Sequence, residues 1–361
     1  MRKMIGHRKT WQLVTSAMLA ALLIVTTGCT LANTAEEPSP TPTEIVLQAT
    51  ELLETATPRP TPTPTEAPLG EPSHPITMGF VLQPDNLAAM DAAQEIALLI
   101  GTDTDLAIES VIYPDFLSLS TAILDGDVDL FWLQPLEYLY LNGEGAADIM
   151  LMTNHLGVYG YGMQFLANRD RGFVSYYDND LGESYGDSLA ALQQFAGTRP
   201  CFISPQSLPG YFAPLGQLAD ASTPTLDPVF VYDYSAVIRA LYIGGICDFG
   251  VSYGLIGDAR TAGDILQDIP EAENDVVVIW QSEGILPNLN LSVSQTLPLN
   301  LEVRIQEAML DLVNAPDGLV RLSTALNYEV GALKVEADSI YAPLRAILAP
   351  LELDYQSITQ Q

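Results

Sequence analysis

The chain has few histidines and lacks the motifs that usually accompany nucleophilic catalysis. Its three histidines, His7, His74 and His155, stand far apart among 361 residues, and neither a Gly-x-Ser-x-Gly motif nor paired carboxylates lie near His155. A nucleophilic enzyme needs a nucleophile together with a positioned base. We therefore expect a protein without enzymatic activity, and we expect a structural role for His155.

Metal sites and nucleic-acid grooves are not expected either. The three cysteines, Cys29, Cys201 and Cys247, include no C-x-x-C pair, so we expect neither a metal nor a cofactor. The 14 Lys+Arg against 45 Asp+Glu give a formal charge of −31, and clustered basic residues occur within the first nine positions. Phosphate backbones are bound by clustered Lys and Arg, so we exclude nucleic acid as a partner.

The first 28 residues have the pattern of an export signal peptide. A basic start at residues 2–9 precedes an apolar run at residues 13–25, which is short for a membrane span and typical of a signal peptide. The sequence Thr-Thr-Gly-Cys at residues 26–29 resembles a bacterial lipoprotein processing box, and this predicts lipidation of Cys29. The alternative is a signal-anchor helix in which the cysteine is incidental.

Residues 29–75 are rich in Pro and Thr, with alternating prolines at 38–43 and 58–65. Such a segment has too little apolar surface to offset the entropy of ordering, and it favours extended polyproline conformations. We predict a disordered tether that holds the following body near the outer face of the cell membrane.

From residue 76 the chain alternates short, apolar, β-rich runs with capped helical segments. The predicted strands cover residues 76–82, 106–112, 128–133, 199–203, 228–232, 247–252, 276–280 and 289–293. The predicted helices cover residues 87–100, 115–124, 210–218, 234–243 and 301–314, with Gly101 and Gly126 as helix stops. This alternation predicts an α/β protein with mixed, mostly parallel sheets and helices on both faces.

Five segments occur in the order of one family's motifs: residues 126–138, 204–214, 240–248, 279–288 and 335–341. Together they resemble the phosphate/phosphite/phosphonate-binding proteins of bacterial ABC importers. The resemblance implies a type II periplasmic-binding fold, in which two lobes are joined by two crossover hinge segments. It also implies a first lobe of residues 76–160 plus 285–361 and a second lobe of residues 161–284.

The resemblance further implies a ligand turn and a ligand tyrosine. Tyr138 stands where the family places a ligand tyrosine, although a tyrosine at a helix start can also pack in the core. Ser207, Leu208 and Gly210 occupy the family's ligand turn, which enters a helix. Free N–H groups and the dipole at helix N-termini bind an anion without any lysine, so even this acidic chain can hold one.

Several cleft positions depart from the family's pattern. Tyr234 or Ser235 stands where the family has a histidine, and Phe116 stands where it has a tyrosine. Pro209 in the ligand turn has no N–H to donate. Asp248 could bind a cationic or amine group of a ligand, or cap local backbone. These departures favour a ligand less charged than a phosphonate, with aromatic or amide character.

Two cysteines of the predicted second lobe could pair. Export favours oxidation, and we place Cys201 and Cys247 at the starts of neighbouring parallel strands. Cross-strand geometry between parallel neighbours is often poor for a disulfide, so two buried thiols are an equal alternative.

The sequence thus supports two functional hypotheses. The first is a monomeric, lipid-anchored, extracytoplasmic protein that captures a small phosphate- or phosphonate-like or related solute between two closing lobes and delivers it to an ABC permease. The second is a lipid-tethered sensor or interaction module that keeps the fold without transport. The altered ligand turn motivates this second hypothesis.

Overall fold

The apolar runs of the sequence form two mixed sheets and a small hairpin in the computed structural model, which describes residues 67–254 and 265–360. The predicted signal peptide, Cys29 and most of the predicted tether lie outside the described residues. The strands are β1 (Ile76–Val81), β2 (Ile108–Tyr113), β3 (Leu130–Leu133), β4 (Asp148–Asn154), β5 (Gly160–Asn168), β6 (Tyr177–Asp178), β7 (Glu183–Ser184), β8 (Pro200–Phe202), β9 (Val229–Phe230), β10 (Phe249–Gly254), β11 (Val276–Gln281), β12 (Leu286–Pro287), β13 (Asn290–Val293) and β14 (Ala332–Val335).

The strand order divides the chain between the two sheets. The first sheet has the order β2-β1-β3-β13-β4-β14, and the second has the order β9-β8-β10-β5-β11, with β12 also paired to β5. Pairs β1–β2, β1–β3, β8–β9 and β8–β10 are parallel. The sheets are mixed as predicted, but antiparallel pairs are more numerous than expected, because β5 and β13 run against all their partners.

Helices follow most of the parallel strands. They are α1 (Leu87–Thr104), α2 (Phe116–Asp125), α3 (Pro135–Gly143), α4 (Ser188–Gln193), α5 (Ala213–Asp220), α6 (Tyr234–Ile243), α7 (Ile265–Asp268), α8 (Ala272–Asp275), α9 (Leu299–Asn314), α10 (Gly318–Leu326), α11 (Ala342–Leu348) and α12 (Tyr355–Thr359). A single π-helical turn, Leu208–Phe212, precedes α5. In the described part of the chain no helix combines the length and apolar character needed to cross a membrane.

The two predicted glycine stops behave differently. Gly126 caps α2 in the left-handed conformation, with φ of 82°, as predicted. The stop at Gly101 was wrong, because α1 continues through this residue to Thr104. A Cβ at Gly101 would lie 2.8 Å from the backbone oxygen of Leu106, so this glycine allows a close approach of the following loop.

The two C-terminal helices, α11 and α12, contact helices that follow strands of different sheets. Helix α11 packs against α5, which follows the second-sheet strand β8, and α12 packs against α3, which follows the first-sheet strand β3. The lobe limits at residues 160 and 285 therefore stay a prediction, with this C-terminal segment packed against helices from both sides.

Cys201 and Cys247 form a disulfide, with a Cα–Cα distance of 5.6 Å. The expectation that they begin two neighbouring parallel strands was half right. Cys201 lies in β8, but Cys247 lies in the turn before β10, and the strand partner of Cys201 is Gly250. Since the bond joins a strand to a turn, the unfavourable geometry of a parallel cross-strand pair does not arise.

Candidate functional site

A cavity of about 280 Å³ lies where residues from both sheets meet. Four tyrosines line it: Tyr161, Tyr234, Tyr253 and Tyr328. The other lining residues that matter below are Gln134, His155, Pro209 and Asn288. A cavity of this size suits a small solute rather than a drug-sized molecule.

The strand order explains why these residues converge. Gln134 directly follows β3 of the first sheet, and Pro209 lies in the turn that follows β8 of the second. Tyr253 is near the carboxyl end of β10, and Tyr161 is near the start of the antiparallel strand β5, so both reach the same edge of the second sheet. Carboxyl ends of parallel strands are the usual place for ligand sites in α/β folds.

The tyrosine rings form a closely packed aromatic lining. The ring centroids of Tyr234 and Tyr253 are 4.7 Å apart in an edge-to-face arrangement. The ring of Tyr328 stacks on His155 with centroids 4.4 Å apart. Burial raises the pKa of Tyr234 and of Tyr328 to about 12, and it also raises the pKa of Tyr161. These phenols are therefore neutral at physiological pH.

The helix that follows β3 already has an acceptor at its N-terminus. The backbone N–H of Gln134 donates to the Glu137 carboxylate at 2.7 Å. Pro135, the first residue of α3, has no N–H at all. An incoming anion would therefore compete with a carboxylate at this helix end.

Two helical segments that follow strands of the second sheet also have a side-chain acceptor at their N-terminus. In the ligand turn, the Ser207 Oγ accepts from the Gly210 N–H at 3.0 Å, and Pro209 between them has no N–H. At the start of α6, the Asp233 carboxylate accepts from the Ala236 N–H at 2.9 Å. One backbone N–H at each of these two starts thus has a side-chain partner within the chain.

Glu137 is the acidic side chain of this region. A second space of about 280 Å³, lined by Glu137 and Leu208, shares Gln134, Tyr161 and Pro209 with the tyrosine cavity. We call these two spaces together the cleft. Burial raises the pKa of Glu137 to about 7, against the lowering effect of the hydrogen bond from Gln134. Among the described residues that line the cleft, none is Lys or Arg.

Asn288 has an unused hydrogen-bond acceptor. Its Nδ2 donates to the backbone oxygens of Thr153 and Val158 at 3.2 and 2.7 Å. Both of these partners are carbonyl oxygens, which can only accept, so the side-chain atom that faces them must be the Nδ2 donor and not Oδ1. This Oδ1 is buried without a hydrogen-bond partner, and Asn288 is 3% exposed. An unsatisfied buried acceptor is unusual in a folded protein, and Asn288 is also one of the residues that line the cavity.

Three of the predicted site residues lie in or beside the cleft. Tyr234 lines the cavity, and Leu208 lines the adjoining space. The Ser207 side chain hydrogen-bonds to the phenol of Tyr234 and so links the turn to the cavity. Gly210 has a packing role, since a Cβ there would lie 2.3 Å from the Ile203 side chain. Ser235 is half-buried in the first turn of α6 and does not line the cavity.

Tyr138 and Phe116 are not brought to the cleft. Tyr138 is fully buried, donates its hydroxyl to Asp338 Oδ1 at 2.8 Å, and packs on Tyr341 with ring centroids 4.2 Å apart. Phe116 is buried against Tyr140. Both residues follow first-sheet strands, as the motif positions imply, but their side chains pack into the core instead of facing the cavity.

Asp248 lies at the end of the second sheet away from the cleft. It precedes β10, whereas the cavity residue Tyr253 is near the other end of that strand. Its carboxylate accepts from the Arg199 N–H at 2.7 Å and pairs with Arg171. Of the two roles considered from the sequence, the structure shows the capping of local backbone.

Sequence reasoning missed most of the aromatic lining. Tyr161 belongs to the aromatic and glycine-rich stretch 157–162, and Asn288 ends the Trp, Ser and Pro-Asn segment 279–288, so both had local signals. Tyr253 and Tyr328 had none, because a single tyrosine at the end of an apolar strand or helix is ordinary in a core. His155 also lines the cavity, and its Nδ1 lies 2.8 Å from the backbone oxygen of Glu329.

Comparison with known proteins gives consistent results. Residues 78–330 match the family model of the periplasmic substrate-binding protein of phosphonate ABC transporters. The phosphate-import protein PhnD of Mycolicibacterium smegmatis is 26% identical over 202 residues, which are 52% of this chain and 56% of that protein. The chain thus spans about half the length of this curated relative.

Solved structures support the fold. XAC2383 from Xanthomonas citri bound to ATP has a TM-score of 0.55 at 15% identity, covering 79% of this chain and 98% of that one. The same protein bound to chloride ion has a TM-score of 0.53 with the same identity and coverage. The predicted mixed α/β fold of the type II periplasmic-binding class is confirmed.

Proposed function

The chain belongs to the family of periplasmic substrate-binding proteins of phosphonate ABC transporters, and on that premise we propose that it captures one small solute in the cleft. Members of this family are binding proteins, not enzymes. The observation that carries the proposal is a cavity lined by residues that belong to or adjoin strands of both sheets, four tyrosines among them. Contacts made from both sides by one ligand would stabilise a closed form over an open one.

We further propose delivery to an ABC permease at the outer face of the cell membrane. The basic and apolar start of the chain, the Thr-Thr-Gly-Cys box ending at Cys29 and the Pro/Thr-rich segment support an exported lipoprotein on a tether. Lipid at Cys29 would place the binding body within reach of the permease. A monomer is sufficient for this role, because both sides of the cleft come from one chain.

Two measurements test this function. Fractionation of cells that express the full chain should place it in the membrane fraction, and C29A should release it or leave an unprocessed precursor. Deletion of the gene should lower uptake of the solute that co-purifies with the chain. Unchanged uptake, with a solute still bound, would favour the lipid-tethered sensor, for which the internally satisfied ligand turn is the supporting observation.

A further inference from the structure

We propose that His155 binds the acid group of an oxyanion solute in the tyrosine cavity, and that its Nε2 takes up one proton from solvent when this solute binds. The inference rests on the proposed solute-binding function and deepens it, because it names one side chain that pairs with an anionic solute. Three observations carry it: the place of His155 in the cavity, the contacts that hold its ring, and the charge of the cavity lining.

The ring of His155 is held so that one nitrogen is left for a ligand. Its Nδ1 lies 2.8 Å from the backbone oxygen of Glu329, and a carbonyl oxygen can only accept, so Nδ1 carries a proton. The ring also stacks on Tyr328, and this contact limits its rotation. In the neutral ring Nε2 is an acceptor, and protonation makes it a second donor. The structural role expected for His155 thus accounts for Nδ1 and leaves Nε2 unassigned.

His155 is the one side chain that can become positive among the described residues that line the tyrosine cavity. The other polar side chains of the lining are Gln134, Asn288 and the four tyrosines. Burial raises the pKa of all four tyrosines, so they keep their protons and add no negative charge. Glu137 lines the adjoining space but not this cavity. Charge pairing in the cavity therefore favours a negative solute.

The charged groups on the elements around His155 do not line the cavity. Glu329 binds the ring through its backbone oxygen, and Asp233 caps the start of α6. On β14, which pairs with β4, Lys334 forms an ion pair with Glu336 at 2.6 Å. None of these four residues is part of the lining. Because an unpaired buried charge is costly, a protonated His155 is the group that would pair with an anion there.

Histidine NMR of the full chain in detergent tests the charge of His155 directly. The chain has three histidines, so the signals of ¹⁵N-labelled histidine are few, and H155Q and H74Q assign two of them. At about pH 7.5 an ordinary histidine is mostly neutral, and in the free chain we expect the His155 proton on Nδ1. Saturation with methylphosphonate should bring at least about half of His155 to the doubly protonated form. His74, which does not line the cavity, should keep its spectrum.

Calorimetry measures the effect of this proton on affinity. Methylphosphonate is the first probe, because the chain belongs to a phosphonate-binding family. Its affinity should rise between about pH 8.5 and about pH 6, and this rise should be about tenfold smaller in H155Q. The probe and Glu137, with a pKa of about 7, also titrate in this range, but both are present in H155Q, so the comparison removes their contributions. H74Q is the matched control and should follow the original chain.

Methanesulfonate separates the titration of the protein from that of the probe. This anion stays ionised across the whole range, so its affinity should show the same difference between the original chain and H155Q. If H155Q does not fold, as judged by urea unfolding, the NMR spectra of the original chain still decide.

The outcomes separate this inference from the proposed function. A free chain with the His155 proton on Nε2, a complex in which His155 stays neutral, or equal pH profiles of affinity for the original chain and H155Q would overturn the inference and leave a solute-binding protein. Failure of both probes to bind would overturn it as well. The proposed function would then fail only if the purified chain also releases no solute of any class on denaturation, as measured by mass spectrometry.

Discussion

The raised pKa of Glu137 should be measurable in the pH dependence of the unfolding free energy of the unliganded protein. Burial raises the pKa of Glu137 from 4.5 to about 7, so the folded chain binds a proton in a pH range where the unfolded chain has already lost it. The contribution of Glu137 to the unfolding free energy therefore falls as the pH rises from about 4.5 to about 7 and is constant above this range. Tyr161, the other titratable group in the same space, remains protonated throughout this range.

The size of the effect follows from the two pKa values. A pKa difference of one unit between the folded and unfolded states corresponds to about 1.4 kcal/mol. The rise of the Glu137 pKa from 4.5 to about 7 therefore changes the unfolding free energy by roughly 3 kcal/mol at most. Because the side chain is only partly buried, solvent screening reduces this, and we expect about 1–2 kcal/mol. E137Q should remove this contribution, since glutamine does not titrate and its side-chain oxygen can still accept from the Gln134 N–H.

The assay is urea unfolding of the full chain between about pH 4.5 and pH 8.5. The difference in unfolding free energy between E137Q and the original chain should grow by about 1–2 kcal/mol over this range, with E137Q the more stable at high pH. E144Q, the same change at the exposed residue that follows α3, reports the general effect of removing one negative charge and should show no such growth. Equal pH profiles for E137Q and E144Q would refute the raised pKa of the Glu137 carboxyl.

Three further predictions concern particular side chains. Y138F should lower the unfolding free energy by about 1 kcal/mol through loss of a buried hydrogen bond, and solute affinity measured by calorimetry should stay the same; a large loss of affinity would return Tyr138 to the site. Replacing Cys201 and Cys247 together by alanine should cost roughly 4 kcal/mol or less in urea unfolding, because the bond closes a loop with a sequence separation of 46; an unchanged midpoint would show that the thiols are not paired. G210A should cost about 1–3 kcal/mol by thermal or urea unfolding, because its methyl group would meet Ile203; a neutral result would mean that the ligand turn packs more loosely.

Local sequence patterns were sufficient to predict most elements of the fold. Helix α6, Tyr234–Ile243, has the predicted bounds, because Asp233 caps its start and Gly244 follows its end. Gly101 misled the prediction because a glycine can serve a close backbone approach as well as a helix end, and only the tertiary contact decides between these roles. The extra antiparallel pairs were equally beyond local patterns, since strand direction depends on where the chain returns.

The site was less predictable than the fold. A motif position identifies the strand end that carries a residue, as it did for Tyr138, but not whether the side chain turns towards the core or the cleft. The position of Ser207 and Tyr234 at the cleft could be predicted, because the turn and the helix start are fixed by their own caps, and their role in ligand binding stays a prediction. Tyr253 and Tyr328 become cavity residues only when distant segments pack together, and no local pattern encodes that packing.

The most direct test of the account is native mass spectrometry of the full chain as purified, followed by identification of the released solute. The account predicts one solute per chain and loss of this solute in Y234L but not in Y232L, because Tyr234 lines the cavity whereas Tyr232 is 71% exposed. A chain that carries no solute, and takes none up from a cell extract, would contradict the solute-binding function itself.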